Sequence, residues 1–89
     1  MTDFAGRHII VTGASSGIGL ATAQMLVARG AKVSMIARRI EALTAEASKL
    51  GPNAAAFAAD VGDRQALETA LNAAAGFFGP AYGLFANAG

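Results

Sequence analysis

Thr12-Gly13-Ala14-Ser15-Ser16-Gly17-Ile18-Gly19 is the stretch that decides the architecture of this chain. The apolar run His8 to Thr12 leads into it, and Gly17 to Arg29 follows with a helical pattern. A strand entering a glycine-rich turn and then a helix N-terminus builds an anion site. The first N–H groups of the helix have no intrahelical partner, and its dipole favours negative charge there. Gly13 permits the tight turn off the strand, Gly17 lets the backbone approach a pyrophosphate, and Gly19 lets the helix lie close to a sheet. The spacing is Gly-x-x-x-Gly-x-Gly rather than Gly-x-Gly-x-x-Gly. No Lys-Ser/Thr pair closes it, so it is not a Walker loop.

Outward from this turn, strand and helix patterns alternate. Ala31 to Ala37 reads as a second strand. Ile40, Leu43, Ala47 and Leu50 recur at helical spacing, with Glu41, Glu46 and Lys49 on other faces. Ala54 to Ala59 is a weakly signalled third strand, because alanine is a poor strand former. Asp63 is a good N-cap for a third helix with the stripe Leu67, Ala70, Leu71, Ala74 and Phe78. Tyr82 to Ala86 completes a fourth strand. Gly30, Gly51-Pro52 and Gly79-Pro80 stand where helix stops are expected. The order β-α-β-α-β-α-β predicts an α/β fold: the first half of a Rossmann-type doubly wound parallel sheet, covered on both faces.

Composition narrows the function classes. The 89 residues are 54% hydrophobic and 15% charged, which excludes a disordered chain. A net charge of +1 does not point to nucleic acid or to an anionic membrane surface. There is no cysteine for disulfides or thiolate metal sites. Met1-Thr2-Asp3-Phe4 lacks the basic and apolar regions of a signal peptide, and no apolar run has membrane-spanning length. A cytoplasmic protein is expected.

Two further motifs fall at strand ends: Asp60-Val61 after the third strand and Asn87-Ala88-Gly89 after the fourth. With Thr-Gly-x-x-x-Gly-Ile-Gly, they resemble the cofactor motifs of the short-chain dehydrogenase/reductase family, and the resemblance covers essentially the whole chain. It implies that Gly13, Ser15, Ser16, Gly17, Ile18 and Gly19 hold the phosphates of a nicotinamide dinucleotide. It further implies that Asp60 accepts from the adenine amine and that the Val61 backbone donates to a ring nitrogen. Asn87, Ala88 and Gly89 would lie near the cofactor ribose, with Asn87 mainly stabilising the sheet and the Thr12 hydroxyl bonding that segment. For Asp60, a turn or helix-cap role is the alternative.

Cofactor choice turns on the end of the second strand. NAD-binding folds carry an acid about 20 residues beyond the glycine loop, where it bonds the ribose hydroxyls. Here Ala37 stands at the family's acid position and Arg38-Arg39 follow. A guanidinium can bind a 2′-phosphate through charge-assisted bonds, and Ser15 can add a hydroxyl. NADP(H) is therefore expected over NAD(H). Many NADP(H)-binding relatives also carry a cation just before the second glycine, where this chain has Ser16.

The family's catalysis uses Tyr-x-x-x-Lys with an upstream Ser. The one tyrosine, Tyr82, has Ala86 four residues on, so no catalytic residue is assigned. Tyr82 is assigned to sheet packing, His8 to a surface or strand-end position, and Phe77 and Phe78 to covering the sheet. No metal site is expected. The resemblance implies the N-terminal portion, residues 1–89, of an NADP(H)-binding domain, truncated after the fourth strand. Its partners would be the C-terminal remainder of the same protein and a small-molecule alcohol or carbonyl substrate, with a homo-oligomer when complete and neither nucleic acid nor membrane. Against this oxidoreductase stands a non-catalytic dinucleotide-sensing module of the same fold.

Overall fold

The computed structural model describes residues 5–15 and 17–86. Four strands and three helices alternate: β1 (His8–Thr12), α1 (Gly17–Ala28), β2 (Lys32–Ala37), α2 (Ile40–Leu50), β3 (Ala54–Ala58), α3 (Arg64–Phe78) and β4 (Gly83–Phe85). All strand pairs are parallel, in the order β3-β2-β1-β4. Each expected element is present, and boundaries differ by a residue or two. Arg29 leaves α1 for the turn before Gly30, and β4 is shorter than Tyr82 to Ala86.

Strand alternation sorts the core. Ile9, Val11, Val33, Met35 and Ala37 face α1 and α2, where they meet Ala23, Leu26, Leu43 and Ala47. Ile10 and Ile36 face the opposite side, against Ala70 of α3 with Leu67 and Leu71 partly buried beside it. The registers His8 with Lys32 and Ile9 with Val33 keep these rows aligned across β1 and β2.

The α3 face is the thinner of the two. Its stripe buries only Ala70 and Ala74, and Phe77 remains 63% exposed. Phe77 sits edge-on to Phe57 at 6.3 Å between ring centroids. Polar contacts hold the ends of the helix. The Asp63 carboxylate accepts from the Ala66 N–H at 3.1 Å, as the sequence predicts.

Tyr82 departs from its assignment to sheet packing. It precedes β4, is 61% exposed, and carries the Arg7 guanidinium 4.1 Å above its ring centroid. Its N–H donates to the His8 carbonyl at 2.7 Å. The amphipathic tyrosine keeps one ring face for a cation and leaves the sheet interior to smaller groups.

His8 takes the strand-end position of the two expected for it. It opens β1, but it is 3% exposed rather than on the surface. Its ring packs against Phe78 at 5.3 Å between centroids. Alternation accounts for this: His8 shares a strand face with Ile10 and so points beneath α3.

Candidate functional site

The glycine loop lies at the C-terminal end of β1, between a strand with neighbours on both sides and the start of α1. Chain order reverses at this strand: β2 lies to one side of β1 and β4 to the other. In open α/β sheets, ligands bind in the crevice at such a switch point.

Gly13 and Gly17 adopt φ of 64° and 62°, the left-handed region that glycine occupies without a Cβ penalty. A Cβ built on Gly17 would meet nothing within 4 Å, so the backbone there faces open space. That opening suits a group approaching the main chain closely. Gly19 is buried on the sheet side of α1, consistent with close helix–sheet packing.

Charge at the helix starts differs in a useful way. The first turn of α1 holds no acid, whereas α2 has Glu41 in its first turn and α3 has Asp63 as its cap. The positive end of the α1 dipole is therefore not offset by an acid in its own first turn.

Two backbone bonds set the site residues in a row. The Ala14 N–H donates to the Ile36 carbonyl at 3.3 Å, and the Ala59 N–H donates to the Ala37 carbonyl at 2.9 Å. The loop, Ala37-Arg38 and Ala59-Asp60 thus lie side by side along the C-terminal ends of β1, β2 and β3.

Arg38 and Arg39 are both exposed, and neither pairs with an acid among the described residues. Arg39 is the N-cap of α2 and makes no side-chain cap bond. Cations at a helix start oppose the dipole, so the start of α2 gains nothing from their charge.

Asp60 is exposed, and its Oδ1 accepts from the Gly62 N–H at 2.9 Å. Its carbonyl accepts from the Asp63 N–H at 2.8 Å. The residue builds the turn that launches α3, the alternative role open to it in the sequence, and that turn fixes where its carboxylate stands. Val61 and Ile18 are apolar yet 50% and 70% exposed at this same end of the sheet. Ser15 is half-buried in the loop. Ser16, Asn87, Ala88 and Gly89 lie outside the described residues, as does any partner of Thr12 in that last segment.

Away from this end, a groove of about 430 Å³ between β3 and α3 is lined by alanines with Phe57 and Thr69, and it holds no ionisable group. Among the described residues no helix is long and apolar enough to cross a membrane.

Comparison with known proteins agrees with this geometry. The family pattern described as short chain dehydrogenase matches residues 7–89. The chain belongs to that family. It is 48% identical over 71 residues to a 3-dehydrosphinganine reductase of Arabidopsis thaliana, covering 74% of this chain and 21% of the relative. L-Sorbose reductase from Gluconobacter frateurii, solved with NADPH and L-sorbose, superposes with a TM-score of 0.91 at 32% identity over 98% of this chain and 35% of its own. A 3-ketoacyl-(acyl-carrier-protein) reductase from Brucella melitensis, solved with NADH, gives 0.89 at 32% identity over 92% of this chain and 34% of its own. The chain therefore spans between about a fifth and about a third of the length of these relatives.

Proposed function

We propose that this chain is the N-terminal portion of the NADP(H)-binding domain of a short-chain oxidoreductase that moves hydride between nicotinamide and an alcohol or carbonyl substrate. The carrying observation is the row formed by the glycine loop, Ala37-Arg38 and Asp60 at the switch point of the sheet. Backbone groups of Gly13, Ser15, Ser16, Gly17, Ile18 and Gly19 would hold the pyrophosphate at the acid-free start of α1. Arg38, with Arg39 and Ser15, would take the 2′-phosphate, and Asp60 and Val61 the adenine. Asn87, Ala88 and Gly89 would border the ribose. Ile18 and Val61 would lose their exposed apolar surface to the cofactor.

The similar reductases were solved with NADPH in one case and NADH in the other, so they support a nicotinamide cofactor without choosing between the two. The choice rests on Ala37-Arg38. The cofactor supplies the hydride, while the residues here bind and orient it. The Tyr-x-x-x-Lys pair typical of the family has no counterpart in residues 1–89, so no residue here is proposed to activate the substrate.

Cofactor titration of the protein carrying this chain tests the proposal. Arg38→Ala should weaken NADPH binding by roughly 10- to 150-fold, the loss of one well-placed charge-assisted bond of about 1.5–3 kcal/mol. NADH affinity should stay within about threefold, since NADH has no 2′-phosphate for the guanidinium to bind. Equal losses for both cofactors would sink the NADP(H) assignment.

A further inference from the structure

The N-terminal end of the sheet, opposite the cofactor row, contains a buried polar group with no role in dinucleotide binding. His8 Nδ1 lies 2.9 Å from the Gly79 carbonyl oxygen. Its Nε2 lies 2.6 Å from Ser34 Oγ. A serine, an imidazole and an orienting acceptor in this sequence resemble the parts of an activated nucleophile. Ser34 is fully buried, however, and no substrate reaches a hydroxyl without exposed surface.

The Gly79 carbonyl fixes the place of one ring proton instead. A carbonyl only accepts, so Nδ1 carries the proton, and in the neutral ring Nε2 then accepts from the Ser34 hydroxyl. One ring thereby satisfies both of its nitrogens across three elements: β1, β2 and the exit of α3. The same corner holds the Gly79 N–H on the Ala75 carbonyl at 2.7 Å and the Tyr82 N–H on the His8 carbonyl at 2.7 Å. Phe78 closes over the ring. The buried part of α3 is otherwise mostly alanine, which offers little apolar area to hold it.

We propose that His8, as the neutral Nδ1–H tautomer, is a latch that clamps the C-terminal end of α3 and the chain leading to β4 onto the start of the sheet. The latch consists of one buried and one part-buried contact within this chain, so it stands whether or not the cofactor assignment holds. It also explains how a thinly packed helix keeps its position: a directional bond at its exit works with the Asp63 cap at its entry.

Two substitutions separate the two ring nitrogens. The side-chain amide of asparagine reaches about where Nδ1 stands and can still donate to Gly79. Glutamine reaches about where Nε2 stands and can keep Ser34 but not Gly79. Amide exchange read by mass spectrometry on the protein carrying this chain should therefore rise roughly 10-fold or more across 75–82 in His8→Gln, the scale of a lost buried partner. It should stay within about threefold in His8→Asn. Exchange in α2 should be unchanged in both. Ring-nitrogen NMR of the parent protein, with His8 assigned from these variants, should show a protonated Nδ1 and an unprotonated Nε2. Equal acceleration in the two variants would overturn the latch, as would an Nε2–H ring.

Discussion

The two ends of this sheet use polar groups in opposite ways. At the N-terminal end, the buried His8 and Ser34 and the partly buried Gly79 carbonyl satisfy one another. At the C-terminal end, the left-handed Gly17 faces open space, and Arg38 and Arg39 are exposed without an acidic partner among the described residues. A buried polar group must find its partners inside the protein, because an unsatisfied one costs about 1–3 kcal/mol. Groups meant for a ligand stay where the ligand can reach them. The contrast teaches that the position of a polar residue along the strands, more than its type, separates a structural role from a binding one.

The sharpest way to break this contrast is to put an acid in the binding end. Ala37→Asp should cut NADPH affinity at least about 10-fold, by placing a carboxylate where a 2′-phosphate would lie, and should turn preference toward NADH. Ala37 is 8% exposed, so the carboxylate should also lower stability. Parallel titrations with the two cofactors and a melting curve would check both outcomes. Unchanged cofactor preference would remove Ala37 from the site.

Breaking the structural end should do the reverse. Ser34→Ala removes the hydroxyl and leaves the His8 Nε2 without a donor, a loss of about 1–3 kcal/mol in stability. Cofactor affinity should not move. Denaturant unfolding beside an NADPH titration separates the two, and a matching fall in affinity would show that the ends are coupled.

Gly17 should register on both scales. An alanine at φ 62° is strained by about 1 kcal/mol, and its Cβ would enter the space offered to phosphate. Gly17→Ala should therefore lower cofactor affinity by more than the roughly fivefold that 1 kcal/mol represents. If stability falls and affinity does not, the loop serves the fold alone.

The smallest expected effects belong to caps and surface pairs. Asp63→Ala should cost about 1 kcal/mol through the lost bond to the Ala66 N–H. Lys49→Met should cost under about 0.5 kcal/mol, because its 3.6 Å pair with Glu46 sits at the surface with the lysine 71% exposed. A chemical melt resolves the first and should barely detect the second.

Much of the fold was legible because its signals are local. Helix spacing from Ile40 to Leu50, the Asp63 cap and the glycine stops each act within a few residues, and the structure follows them. The place of the glycine turn was legible because a strand, a glycine-rich turn and a helix follow one another in continuous backbone, and the structure has them in that order. The thinness of the α3 face was harder to see. Leu67, Leu71 and Phe78 make a sound stripe in sequence, yet in the folded chain each is only partly buried, because this face buries few large side chains. Tyr82 was misplaced for a related reason: aromatic residues favour strands, but a nearby cation holds this one at the surface.

By itself, the sequence determined the α/β order, the glycine-rich turn between β1 and α1 and the pairing of Ala37 with a following cation. These depend on periodicity and on short stretches of backbone. Only the tertiary structure decided which distant groups meet. His8 finds Gly79 across 71 positions and Ser34 across 26. Alternation places His8 and Ile10 on one face, but strand register brings Ser34 onto it, and the exit of α3 decides that a carbonyl waits at Nδ1. A directional bond between residues so far apart is set by how the elements dock, and that docking follows from the packing of the whole sheet.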